Sequence, residues 1–176
     1  MRFAPLLALI IICLTSPWSI PIYGEIDITL QSLWVILIPL LFGWKGALII
    51  AIYLLLGTAG LPVFADYTSG WLKWNGPSAG FLASFQLVAL ILAFWNSKLR
   101  DLSLLQGFGV FILSHLFILV LGFSWIIFLM IPEIDLFRLL LNLVPGLLVK
   151  SLVGSFLYQK FWPWFKSQLI EKGRIA

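Results

Sequence analysis

Lys150 stands in the run Leu147-Leu148-Val149-Lys150-Ser151-Leu152, with aliphatic side chains on both sides. A cation buried in such a run is costly and by default marks a binding or transport function. Counted from Leu136, it lies roughly 21 Å into its helix, too deep to reach the outer surface by extending its side chain. His115, the single histidine, has no acidic residue in its own helix, so an interhelical hydrogen bond fits it better than a proton relay. Gln31, Asn75 and Asn142 can exchange amide hydrogen bonds. Phe64, Tyr67, Trp71 and Trp74 can cover an apolar ring, and Asp66 and Lys73 add charge beside them. Such a set suits a small ligand with a charged end, amide-like edges and an apolar body. It does not suit catalysis. One histidine and one cysteine, Cys13, exclude an internal disulfide and a multi-cysteine metal site, and no Ser–His pair stands at helical spacing.

The elements that must position these residues follow from the charges. Phe3–Gly24, Ile28–Trp44, Gly46–Ala65, Trp74–Ser97 and Leu102–Pro132 contain no Asp, Glu, Lys or Arg, and Leu139–Gln159 contains only Lys150. A charge at the bilayer centre costs roughly 2.5–3.5 kcal/mol on insertion scales, and a crossing needs about 20 apolar residues. These six stretches predict an all-α integral membrane protein of six transmembrane helices forming one domain over residues 1–176. The predicted helices are 3–15, 30–42 with a bend at Pro39, 46–57, 79–95, 104–130 and 136–161. Residues 16–29 are expected as an outer loop. Met1–Ser16 has the look of a signal peptide but lacks an A-x-A site, and it is read as the first helix.

The composition agrees: 62% hydrophobic, 10% charged and a mean hydropathy of +1.10 over 176 residues. No G-x-x-x-x-G-K-[ST] phosphate loop occurs, so an ATPase driving transport would be another chain. The net charge of +4 is read as topology rather than nucleic-acid binding. With both termini cytoplasmic, Arg2, Lys45, Lys98, Arg100, Lys160, Lys166, Lys172 and Arg174 lie inside. Only Lys73 and Arg138 lie outside, with Glu25, Asp27, Asp66, Glu133 and Asp135.

Two segments carry further signals. Ala4-x-x-x-Ala8 is a small-x-x-x-small pair, which lets helices approach closely in lipid. Residues 61–78 are too apolar for a solvated linker and too broken by Pro62, Gly70, Gly76 and Pro77 for a helix. Irregular backbone at membrane depth survives where protein covers it or where it lines a cavity, so this segment reads as a ligand lid.

Four blocks make the chain resemble the BioY family, the biotin-binding S components of energy-coupling-factor (ECF) transporters. They are Pro21 through Asp27-Ile28-Thr29-Leu30-Gln31, the stretch Tyr53 through Gly57-Thr58-Ala59-Gly60-Leu61-Pro62-Val63-Phe64-Ala65, Gly76-Pro77-Ser78-Ala79-Gly80-Phe81-Leu82, and Val144-Pro145-Gly146-Leu147-Leu148-Val149-Lys150. The resemblance covers residues 20 to 160. It departs after Ala65, where Asp66-Tyr67-Thr68-Ser69-Gly70 replaces a glycine-rich stretch, and at Leu147, where the family carries Asp.

The resemblance implies a high-affinity subunit for biotin uptake in the plasma membrane. It has no cofactor and no catalysis of its own, and works with a transmembrane coupling subunit and two ATPase subunits. It implies substrate binding by Gln31, Phe64, Asp66, Tyr67, Trp74, Asn75, Asn142 and Lys150, and docking of the coupling subunit on Ala4 and Ala8. A stand-alone carrier is the rival. It would want an acid at membrane depth and internal repeats, and neither is seen.

Overall fold

The computed structural model describes residues 3–23, 26–129 and 135–171, and side chains 21–23, 26, 27 and 169 are left out of the description. Arg2, Glu25, Glu133, Lys172 and Arg174 of the charge argument therefore lie outside the described residues. The chain runs α1 (Ala4–Thr15), β1 (Ser19–Tyr23), β2 (Ile26–Thr29), α2 (Gln31–Phe42), α3 (Trp44–Thr58), two 3₁₀ turns (Ala65–Tyr67 and Trp71–Trp74), α4 (Ala79–Trp95), α5 (Leu104–Phe128) and α6 (Leu136–Ile170). α5 and α6 are each long and apolar enough to cross a membrane, and α1 to α4 are shorter apolar helices.

α2 is the centre of the bundle. Gln31, Ser32, Leu33 and Val35 through Leu41 are all buried, so this helix is enclosed on every side. It packs on α3, α4 and α6. Its C-terminal end is closed by a turn at Gly43, whose φ of 59° favours a residue without a Cβ. There the Asn96 side chain donates to the carbonyls of Pro39 (3.2 Å) and Leu40 (2.7 Å), adding to the Gly43 N–H bond that Pro39 already accepts. α5 packs between α4 and α6. The outward faces of these last helices are apolar: Leu105, Leu113, Val120 and Phe128 on α5, and Val149, Leu152 and Phe156 on α6. A bundle with an oily outside suits a hydrocarbon surrounding.

Two expectations change. The 16–29 loop is an antiparallel hairpin, with Ser19 opposite Thr29, Ile20 opposite Ile28 and Pro21 opposite Asp27. Backbone groups close to a membrane must find partners, and the pairing supplies them. The last helix continues past Phe161 to Ile170, through Pro163, because Trp162 and Phe165 are buried against the bundle and hold the extension in place.

The C-terminal end of α6 is tied to the loop before α5. Asp101 accepts from Lys166 Nζ and from Trp162 Nε1, each at 2.8 Å, and Tyr158 donates to the Leu99 carbonyl at 2.9 Å. These donors, Lys166 first, hold the Asp101 carboxyl below the usual carboxylate range. A depressed carboxylate stabilises the fold above its unfolded-state pKa, about 3.9, and loses that contribution as pH falls through its folded-state value. Both partners are partly exposed, so the effect is small. Wild-type protein should therefore melt slightly higher than Asp101→Asn at pH 7, with the gap closing below about pH 4. Thermal melts of both proteins across that range check this, and a gap independent of pH would contradict it.

Candidate functional site

The half-buried Lys150 finds its partners where β2 ends and α2 begins. Nζ donates to Ser32 Oγ at 2.8 Å and to the Thr29 backbone carbonyl at 3.3 Å. The hairpin delivers that carbonyl. Ile28 lies against Gly146 of α6, where an added Cβ would come within 2.9 Å of it, so the hairpin rests on α6 one turn before Lys150. With two N–H groups engaged, the ammonium keeps one for another acceptor.

That third donor lies at a cavity of about 100 Å³. Its polar lining is Thr29, Gln31, Ser32, Ser78, His115 and Lys150. Its apolar lining comes from Ala65, from Phe81, Leu82 and Phe85 of α4, from Ile118 and Leu119 of α5, and from Leu143 and Leu147 of α6. Gln31 is braced rather than free. Its Nε2 donates to Tyr53 Oη at 2.6 Å, its Oε1 accepts from Thr29 Oγ1 at 3.2 Å, and Tyr53 Oη donates onward to the Val63 carbonyl at 3.0 Å. This chain joins α2 and α3 to the start of the outer segment. What the cavity offers a ligand is donors at one end, apolar walls around them, and an ammonium carrying the charge.

The outer segment 61–78 is pinned at a few points. Phe64 is 2% exposed, edge-on to Tyr53 at 5.9 Å, and seated where a Cβ on Gly57 would lie 2.3 Å from its ring. Only glycine leaves room for it. Trp74 donates to Thr58 Oγ1 at 2.8 Å, the Gly76 carbonyl accepts from Trp125 Nε1 at 3.0 Å, and Asp66 N–H donates to the Pro17 carbonyl at 3.0 Å. Asp66 and Tyr67 both adopt φ of 54°, the left-handed region that non-glycine residues rarely occupy.

Of the residues singled out in the sequence, Gln31, His115 and Lys150 line the cavity. Phe64 and Trp74 do not, and Ala65 and Ser78 are the residues of segment 61–78 that line it. Tyr67 and Asn75, with Lys73, line a separate open recess, and Asp66 is exposed. Asn142 is half-buried on α6, two turns before Lys150, and does not line the cavity. Thr29, Ser32 and Ser78 were not anticipated. His115 was read as an interhelical hydrogen bond, which it makes to Ser32 of α2. Helical spacing carried a usable signal: Leu143, Leu147 and Lys150 stand at i, i+4 and i+7, and His115, Ile118 and Leu119 at i, i+3 and i+4.

Ala4 and Ala8 line a different feature, an apolar groove of about 360 Å³ between α1, α2 and α6. Trp34 and Phe42 of α2 and Phe161, Trp164 and Phe165 of α6 share it.

A model of the BioY family matches residues 1–167. The chain belongs to the BioY family. It is 36% identical over 119 residues to biotin transporter BioY2 of Lactococcus lactis subsp. cremoris, covering 67% of this chain and 64% of that protein. It is 36% identical over 104 residues to a probable biotin transporter BioY of Pyrococcus horikoshii, covering 58% and 60%. The chain thus spans a little under two thirds of the length of these relatives. Among solved structures it resembles the S-component for biotin from an ECF-type ABC transporter, with a TM-score of 0.74 over 91% of this chain and 89% of that one, at 24% identity. That likeness shows the fold: a helical bundle of the S-component type. The relatives are named transporters rather than enzymes, and BioY membership makes this a membrane protein. In this BioY chain the cavity is walled at position 147 by leucine, so no carboxylate stands three residues before Lys150.

Proposed function

We propose that this chain is the substrate-binding membrane subunit of an importer and that its ligand is biotin. The observation that carries the reading is the Lys150 ammonium, buried between α2 and α6 with an N–H to spare at an apolar-walled cavity. Biotin has an anionic carboxylate, an apolar chain and ring, and a ureido group with one acceptor and two donors. An acceptor on biotin completes Lys150, and Phe81, Phe85, Leu143 and Leu147 suit its apolar body. A cavity of about 100 Å³ is smaller than the roughly 300 Å³ or more typical of sites for drug-sized ligands. Binding therefore requires the outer segment to shift. In that movement Phe64, Asp66, Tyr67, Trp74 and Asn75 close over the ligand, while Gln31 and Asn142 offer amide partners below and above.

The coupling subunit docks on the α1 face at Ala4 and Ala8, and two ATPase subunits of the same ECF assembly supply the energy. The chain crosses the plasma membrane six times with both termini inside. The apolar outer faces of α5 and α6 and the cluster of Lys98, Arg100, Lys160 and Lys166 at one end support this arrangement.

Three measurements follow. Detergent-solubilised wild-type protein should bind labelled biotin, and Lys150→Met should lose that binding while remaining folded and extractable. Normal biotin binding by Lys150→Met would end the proposal for Lys150, and no binding by wild type would end it for biotin. Ala4→Trp with Ala8→Trp should abolish copurification with the coupling subunit but keep biotin affinity. A retained complex would move the docking face elsewhere. In a Cys13→Ser background, cysteines replacing Glu25 or Glu133 should react with an impermeant thiol reagent from outside, and one replacing Lys98 should not. External labelling at position 98 would overturn the topology.

A further inference from the structure

Ser32 is shared between a cation and an imidazole. Its Oγ accepts from Lys150 Nζ at 2.8 Å and lies 3.2 Å from His115 Nε2. The other ring nitrogen, Nδ1, lies 2.9 Å from the Phe111 backbone carbonyl, with Ser151 Oγ at 3.2 Å beside it. The Phe111 carbonyl assigns the ring proton. A carbonyl oxygen only accepts, so Nδ1 must carry the hydrogen. Nε2 of the neutral ring then holds a lone pair. An ammonium only donates, so Ser32 must accept from Lys150, and its single hydroxyl hydrogen is left for Nε2. The chain is directed throughout: Lys150 N–H to Ser32 oxygen, Ser32 O–H to His115 Nε2, His115 Nδ1–H to the Phe111 carbonyl. A doubly protonated ring would reverse the Ser32 bond and set a second cation beside Lys150, with no described carboxylate lining the cavity to offset it.

We propose that His115 is a positioning residue for the binding site: as the neutral Nδ1–H tautomer it takes the Ser32 hydroxyl hydrogen, fixing the Ser32 oxygen as an acceptor for Lys150 and so aiming the remaining Lys150 N–H at the ligand. The inference rests on the biotin reading for the name of the ligand, but not for the hydrogen-bond chain. It assigns His115 a role through Ser32 rather than a contact with the ligand's charge. It also explains a histidine at 3% exposure whose ring touches three helices, through Ser32 of α2, Phe111 of its own α5 and Ser151 of α6. Without a base at position 115, the Ser32 hydroxyl would rotate among other acceptors. The ammonium would then lose its fixed direction while keeping its charge.

The chain has one histidine, so ¹⁵N-histidine labelling of the full-length protein, carried on a histidine-free tag, reports on His115 without assignment. The spectrum should show a directly bonded hydrogen on Nδ1 and none on Nε2, and Ser32→Ala should move the Nε2 resonance. A hydrogen on Nε2, or an Nε2 signal indifferent to Ser32→Ala, would overturn the proposal. Biotin titrations supply the functional arm. Ser32→Ala and His115→Leu should each weaken binding by roughly tenfold, the worth of one hydrogen bond, and the double variant by about the same amount. A double variant weakened by about a hundredfold would show two independent, merely structural contributions and would also overturn it. Wild-type protein that binds no biotin would end the functional reading alone, since the tautomer arm decides the hydrogen-bond chain by itself.

Discussion

An ammonium drawn away from water must be given acceptors, and this requirement organises the end of the bundle where the hairpin meets α2 and α6. Lys150 arrives on α6 with no acid at i−3. Its partners come from elsewhere in the chain: a hydroxyl from the first turn of α2 and a main-chain carbonyl from the end of a hairpin. To present that carbonyl the hairpin must rest on α6, and Gly146 lets the Ile28 side chain settle there without having to shift. To present that hydroxyl, α2 must start within reach of α6, and its own burial on every side keeps it there. Charge satisfaction and helix packing are thus one problem at this point in the structure.

The same logic extends outward through Gln31. Its amide is committed to Thr29 and Tyr53, and Tyr53 to the Val63 carbonyl, so the first residues of the outer segment are bound to the helices that form the floor. Beyond Phe64 the segment is held by hydrogen bonds from Asp66 and Gly70 N–H groups and from the Trp74 and Trp125 side chains.

The sequence made the helices legible because charges are costly in apolar surroundings, so charge-free stretches bracket each of them. All six were readable, with α4 placed at its observed bounds and the ends of the others misjudged by a few residues, apart from the long extension of α6. The hairpin was not legible. Five residues of strand beside two prolines carry too little periodicity to stand out from a loop. The candidate site was half legible. Lys150 and Gln31 are unusual residues in apolar surroundings and call attention to themselves. Ser32, Thr29 and Ser78 do not, since small hydroxyl residues are common at helix starts for capping reasons. Their part comes from three-dimensional convergence on Lys150, which no local pattern encodes. Tyr67 and Asn75 illustrate the opposite case. Their chemistry is suitable, yet the left-handed turn at Asp66 and Tyr67 directs the chain so that both line the outer recess.

Phe64 in the hollow over Gly57 behaves as a peg in a socket. The ring occupies space that no backbone with a Cβ could concede, and it meets Tyr53 edge-on within that space. Close-packed contacts of this kind weaken quickly, because a gap of up to about an ångström forfeits roughly a quarter to a half of the attraction. Under the movement proposed for binding, the segment would therefore act as a catch rather than a spring, seated or unseated with little between. The dwell time of that catch would then rest on one aromatic ring and one missing methyl group.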